Sequence, residues 1–182
     1  TNAQPGDVLL VTGTIGDAAL GLQLRTALAE KIAPATSEAA RDHLRDRYLH
    51  PDPRHALAAA LRDHAHAAMD ISDGLVGDCA KMLRVSGVGG ALRLAAVPLS
   101  PAARSVVAHA PHAWEMAMTG GDDYEILASV PRDKVSSLQR IGESLGIALT
   151  QVGSVGERGT PFAVLDAHGH PVELKRLSYR HF

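Results

Sequence analysis

The sequence predicts an α+β fold, a mixed β-sheet with helices packed against it, and three observations predict it. Hydrophobic residues make up 46% of the 182 residues and charged residues 21%, which is enough apolar material for a core and too even a charge balance for a disordered chain. Short β-branched and leucine runs are interleaved with segments whose apolar residues recur at helical spacing. The interleaving is not a strict strand–helix–strand repeat, so a mixed sheet is expected.

The elements follow in order. Val8-Leu9-Leu10-Val11-Thr12 is a continuous apolar run behind a Pro-Gly-Asp turn, the pattern of a buried strand. Gly13 to Asp17 breaks it, and Ala18 to Glu30 carries Leu20, Leu24, Ala27 and Leu28 at helical spacing. Ser37 is placed to cap a helix running to Leu49. His50-Pro51-Asp52-Pro53 ends that helix, because each proline disfavours helix in the residue before it, and Arg54 to His66 is rich in alanine and leucine, a helical composition.

Ala67 to Ser72 reads as a short strand and Asp73 as the cap of a helix from Gly74 to about Val85. Ala91 to Val97 is the next strand, and Pro98 to Pro101 starts a short helix. Ala110 to Thr119 has no decisive pattern. Tyr124 to Val130 is a strand, Asp133 caps a helix from Lys134 to Leu145, and Ile147 to Val155 is a strand again. Phe162 to Asp166 and Pro171 to Leu174, around Ala167-His168-Gly169-His170, form a hairpin. One domain over residues 1–182 is expected.

Composition excludes several classes of function. With 18 basic against 20 acidic residues the formal net charge is −2, which argues against a protein built to grip nucleic acid phosphates. The single cysteine, Cys79, rules out an internal disulfide framework, fits a reducing cytoplasm, and is expected as a small core residue. No apolar run approaches the roughly 18–20 residues of a membrane span. The chain opens on Thr1 without a signal-peptide pattern, so it reads as part of a longer protein.

Three stretches carry candidate chemistry. In Asp70-Ile71-Ser72-Asp73-Gly74-Leu75 strand alternation sends Asp70 and Ser72 the same way and Ile71 into the core. Asp73 sits where strand becomes helix. Two carboxylates and a hydroxyl beside a helix start suit Mg²⁺ with a phosphate; the plain alternative is a helix cap and a turn residue. In Gly120-Gly121-Asp122-Asp123-Tyr124-Glu125 three carboxylates lie within four residues, so a cation must sit close or a pKa must rise. The alternative there is a turn entering an exposed edge strand with solvated acids. Gly13-Thr14-Ile15-Gly16-Asp17 matches neither the Walker nor the dinucleotide pattern and reads as a strand-to-helix turn. The 10 histidines are scattered, and the His64/His66 pair lacks partners at zinc spacing. Trp114 is expected in packing. Tyr179 offers either a stacking platform or a tail anchor.

Taken in order, Pro5-Gly6-Asp7, Val11 to Leu22, His50-Pro51-Asp52-Pro53-Arg54, Asp70 to Leu75, Ser86 to Gly89, Pro98-Leu99-Ser100, Gly120 to Glu125 and Tyr179 to Phe182 resemble the C-terminal half of thiamine-monophosphate kinase. That family is similar in plan to aminoimidazole ribonucleotide synthetase. The resemblance implies a three-layer α/β/α arrangement and an N-terminal ATP-binding domain that dimerises and lies outside these residues. It further implies a cytoplasmic enzyme that moves the ATP γ-phosphoryl group onto thiamine monophosphate, with Mg²⁺ as cofactor and neither nucleic acid nor membrane as partner. By the same resemblance Asp70 and Asp73 are metal ligands, Ser72 contacts ATP, and Asp122 and Tyr179 contact the substrate. Two departures stand out. Asp122 replaces the family's usual Glu, and Ser178 and Arg180 flank Tyr179 where glycine and aspartate are common. Without the other domain, this chain is expected to have at most trace kinase activity. Two other readings stay open: another ATP-dependent enzyme of the same plan, or a non-catalytic binding or assembly module that keeps the fold.

Overall fold

The computed structural model describes residues 2–26 and 36–174. Its sheet has six strands: β1 (Val8–Thr12), β2 (Ala67–Asp70), β3 (Gly90–Arg93), β4 (Ile126–Val130), β5 (Leu149–Val155) and β6 (Phe162–Leu165). They lie in the order β2-β4-β1-β5-β3-β6. Neighbours are antiparallel except β3 and β6, which run parallel. Among the described residues there are seven α-helices: α1 (Asp17–Gln23), α2 (Glu38–Leu49), α3 (Ala58–His64), α4 (Leu75–Val85), α5 (Pro101–His109), α6 (Ala113–Thr119) and α7 (Arg132–Ser144).

β1 explains the layering. All five of its residues are buried, because a central strand covered on both faces has no polar side. Leu9 and Val11 enter one core with Leu20, Leu44, Leu75, Met82, Val106 and Met118, contributed by α1, α2, α4, α5 and α6. Val8 and Leu10 enter a second core with Leu61 of α3 and Leu138 of α7. Helices therefore cover both faces, as the three-layer expectation requires. Each fully buried leucine contributes about 1.5–3 kcal/mol by leaving water.

Several predicted boundaries are corrected. The helix expected from Ala18 is α1, which stops at Gln23 before turns at residues 24–26; residues 27–30 of that expectation lie outside the described residues. The helix expected over 54–66 is a 3₁₀ turn at His55–Leu57 followed by α3. The strand expected over 91–97 ends at Arg93 in a 3₁₀ turn. Asp133 does not cap α7, which starts at Arg132 behind Pro131. Ser37 caps α2 as expected, its side chain accepting from the Ala40 N–H. The closing hairpin is reduced to β6 and a single bridge between Leu165 and Pro171. Cys79 is buried in the core, and Trp114 packs partly buried against it.

Candidate functional site

Two of the singled-out stretches lie side by side. β2 pairs with β4 so that Asp70 faces Ile126, and the pairing continues beyond both strands. The Ile71 N–H donates to the Glu125 carbonyl (2.8 Å), the Tyr124 N–H to the Ile71 carbonyl (3.0 Å) and the Asp122 N–H to the Ser72 carbonyl (3.1 Å). Gly121 is required there: a Cβ at that position would lie 2.1 Å from the Ser72 carbonyl oxygen. The backbones of Asp70, Ser72, Asp73 and Asp122 are thereby set close together at one end of the β2–β4 ladder. β4 is an inner strand between β2 and β1, so the reading of an exposed edge with solvated acids is overturned.

The crowded acids separate into anchors and presented groups. Glu125 is fully buried. Arg54 reaches it with two prongs, Nε to Oε2 at 2.8 Å and Nη2 to Oε1 at 2.6 Å. Arg47 adds Nη2 to Oε1 at 3.1 Å, and the Thr12 hydroxyl donates to Oε2 at 2.6 Å. Charge-assisted, two-pronged pairs of this kind are the stronger hydrogen bonds in proteins, and the bond to Glu125 raises the Arg54 pKa from its ordinary value. Gly13 makes room for the carboxylate, since a Cβ there would meet Oε1 at 2.2 Å.

Asp123, also buried, accepts from the Gly16 N–H (2.7 Å) and the Ala18 N–H (3.2 Å) at the start of α1. Gly16 has no side chain to cap that helix, so an acid more than a hundred residues away does so. Burial pushes the Asp123 carboxyl up to about 8, against the pull of those two N–H groups and with a smaller push from Asp17 and Glu125. The crowding therefore resolves in both ways anticipated, with cations beside Glu125 and a raised pKa at Asp123.

Asp73 does not cap α4. Gly74 precedes the helix with φ +104°, which turns the chain away from cap geometry, and Asp78 reaches back instead. Its buried carboxylate accepts from the Ser72 N–H (3.0 Å) and the Asp73 N–H (2.9 Å), stiffening the loop from inside. The Asp73 side chain is left half-exposed and meets the Lys81 ammonium at 2.8 Å, which also reaches Asp78 at 3.1 Å. Asp70 is exposed and Asp122 half-buried; neither carboxylate has a hydrogen-bond or ion-pair partner among the described residues. Tyr179 lies outside the described residues.

The donor set at this edge consists of hard carboxylate oxygens. No group of three or more His, Cys, Asp or Glu side chains converges on a metal position among the described residues. Hard carboxylate oxygens are the donor type that Mg²⁺ takes, typically one or two from the protein with water and phosphate completing the shell. The Lys81 ammonium, a cation already seated against Asp73, marks the place as attractive to positive charge. Among the described residues no helix is long and apolar enough to cross a membrane.

Sequence reasoning missed Arg47, Arg54 and Glu125 as a unit, and Asp78 as the brace of the Asp70–Gly74 loop. The signals were indirect: three acids in four residues demanded a cation, and Arg54 follows a proline-braced break.

Comparison with known proteins places this geometry. Residues 4–166 match the family model of AIR synthase related protein, C-terminal domain. The whole chain is 36% identical to a thiamine-monophosphate kinase of Escherichia coli O157:H7, covering 54% of that protein; the chain spans about half the length of the curated relatives it matches. A crystal structure of thiamine-monophosphate kinase from Stenotrophomonas maltophilia K279a superposes with a TM-score of 0.81 at 37% identity, over 94% of this chain and 52% of that one. A structure described as AaThiL complexed with AMPPCP and TMP superposes with a TM-score of 0.79 at 30% identity, over 100% of this chain and 53% of that one.

Proposed function

This chain belongs to the family of AIR synthase related proteins as their C-terminal domain, and from that premise we propose that it is the C-terminal half of a kinase. The kinase converts thiamine monophosphate to thiamine diphosphate at the expense of ATP. The observation that carries the proposal is the adjacency of Asp70–Gly74 and Gly120–Glu125 on one ladder, in a chain 36% identical along its whole length to a protein named thiamine-monophosphate kinase. The relative solved with AMPPCP and TMP supports ATP and thiamine monophosphate as the two substrates.

The chemistry is a transfer between two anions, so positioning and charge neutralisation outweigh covalent catalysis. Asp70 and Asp73 would hold Mg²⁺ from the protein side, with the Ser72 hydroxyl contacting ATP between them. When bound, Mg²⁺ supplies charge neutralisation and a template for in-line transfer. Asp122 stands on the substrate side of the same edge, one methylene shorter than the family's usual Glu, and Tyr179 is assigned to stack on the substrate. No general base is needed, because the acceptor phosphate is ionised at pH 7. Asp123 and Glu125 shape the loop from behind and do not meet the reacting groups.

The remaining metal and nucleotide contacts are assigned to an N-terminal domain outside these residues, which also forms a homodimer, and the protein acts in the cytoplasm. The test compares thiamine diphosphate formation by this chain alone and by the protein at its natural length. The proposal expects at most trace turnover from the chain and robust, Mg²⁺-dependent turnover from the natural-length protein. Equal rates would refute the division of labour, and no product from either would refute the kinase assignment.

A further inference from the structure

Residues 122–125 alternate between presented and anchored side chains. Asp123 and Glu125 are buried and fastened from behind by the Gly16 and Ala18 N–H groups, Arg47 and Arg54. Between them Tyr124 is 37% exposed, and its phenol has no hydrogen-bond partner among the described residues. Its backbone sits at φ +51°, and that of Asp122 at φ +71°. Asp tolerates the left-handed region, whereas a bulky aromatic residue there is a true outlier. Tyr124 is not among the hydrophobic residues packed against either core, and a glycine or asparagine would hold the same backbone with less strain.

Strained non-glycine backbone persists where the surroundings over-determine it, and such positions cluster at ligand clamps. Here the surroundings are visible: the Tyr124 N–H is tied to the Ile71 carbonyl, and the residues on both sides are locked into the interior.

We propose that Tyr124 is a ligand-contacting residue whose ring is held at the site edge to receive a planar, cationic heteroaromatic group. This rests on the reading of thiamine monophosphate as substrate, whose thiazolium ring is such a cation. A tyrosine face attracts cations through its quadrupole, and the neighbouring Asp122 carboxylate adds negative charge. The two ends of the ligand then separate by chemistry. The heteroaromatic end lies at Asp122 and Tyr124, and the phosphate end at the Asp70–Asp73 edge of the same ladder.

The test is calorimetric titration of the natural-length protein with thiamine monophosphate, and separately with AMPPCP, for Tyr124→Phe, Tyr124→Ala and Tyr124→Gly. Tyr124→Phe keeps the ring and is expected to bind thiamine monophosphate within about 2-fold of the parent. The Ala and Gly variants are expected to bind it about 3- to 10-fold more weakly, the range of a partly exposed ring contact, with AMPPCP affinity unchanged. In this chain Tyr124→Gly should melt about 2–4 °C above Tyr124→Ala, because only glycine relieves the left-handed backbone. That comparison separates strain from ring contact. If Tyr124→Gly binds thiamine monophosphate as tightly as the parent, or Tyr124→Phe binds as weakly as Tyr124→Ala, the ring assignment is overturned and the kinase reading stands. If the parent itself does not bind thiamine monophosphate, the kinase reading fails, and the ligand class with it.

Discussion

Arg54 grips Glu125 with two parallel hydrogen bonds, Nε to Oε2 at 2.8 Å and Nη2 to Oε1 at 2.6 Å, across 71 residues of sequence. The pair fixes the loop of the candidate site to the segment that follows α2. Glu125 has no exposure to water and Arg54 little, so the charges were desolvated on folding and each depends on the other. Arg47 and Thr12 complete the shell of the carboxylate, leaving no buried polar side-chain atom without a partner among the described residues.

Breaking this pair from one side should be costly. Arg54→Ala leaves a buried carboxylate with only Arg47 as counter-charge, and the expected loss is about 3–5 kcal/mol, as for other broken buried pairs. Arg54→Met with Glu125→Met removes both charges and should recover a large part of that loss. Urea midpoints of Arg54→Met, Glu125→Met and the double variant, treated as a double-mutant cycle, give the coupling. Additive losses would mean that the pair carries no interaction of its own.

Asp123 sets a pH dependence with a definite sign. Its folded pKa of about 8 stands above the unfolded value, so between roughly pH 4 and pH 8 the unfolded chain gives up this proton and the folded chain keeps it. Stability from this group is therefore full at low pH and is lost as pH rises through that window, by at most about 1.4 kcal/mol for each pH unit. Above about pH 8 the decline stops. Thermal melts from pH 5 to pH 9 should show the slope, and Asp123→Asn should flatten it. A parent whose stability rises steadily over pH 5–8 would place the Asp123 proton elsewhere.

Asp78 braces the Ser72 and Asp73 N–H groups from within. Asp78→Ala leaves both half-buried donors without their acceptor, and a total cost of about 1–3 kcal/mol is expected. Hydrogen exchange should locate the effect: protection lost at Ser72 and Asp73, and retained in β1. Uniform loss across the sheet would argue that Asp78 supports the whole fold rather than this loop.

Lys81 meets Asp73 at 2.8 Å, so under the proposed metal assignment it would compete with a divalent ion for that carboxylate. An exposed ion pair is worth about 0.2–1 kcal/mol, so Lys81→Gln should lower the half-saturating Mg²⁺ concentration by about 1.5- to 5-fold. Titrating the natural-length protein with Mn²⁺ under AMPPCP and reading water-proton relaxation checks this without turnover. Identical titrations for parent and variant would show that Lys81 and the ion do not share Asp73.

The parts of this structure legible in the sequence are those decided by neighbours along the chain. Val8 to Thr12 reads as a buried strand because all but the last residue is apolar, and it lies at the centre of the sheet. Ser37 reads as a cap because its acceptor is three residues away. The Asp70–Gly74 and Gly120–Glu125 stretches stand out by composition, and both come to the candidate site. What stayed hidden depends on distant partners. Capping rules assign the start of α4 to Asp73, whereas the helix starts behind Gly74 with no side-chain cap and Asp78 reaches back to brace the preceding loop. The rescue of Glu125 comes from arginines 71 and 78 residues away, and no local pattern states that β4 is inner rather than edge. Positive φ at Tyr124 is likewise invisible in a string of letters, since tyrosine is a poor advertisement for that conformation.

The central claim is that the acidic edge formed by Asp70 and Asp73 lets two anions meet. Its most direct test is the Mg²⁺ dependence of thiamine diphosphate formation by the natural-length protein and its Asp70→Asn and Asp73→Asn variants, with folding verified by circular dichroism. Folded variants are expected whose turnover falls by two orders of magnitude or more, on the scale of losing a principal electrostatic contact in a transition state, and is partly restored at high Mg²⁺. Folded variants with the parent's rate and the parent's Mg²⁺ requirement would contradict that claim.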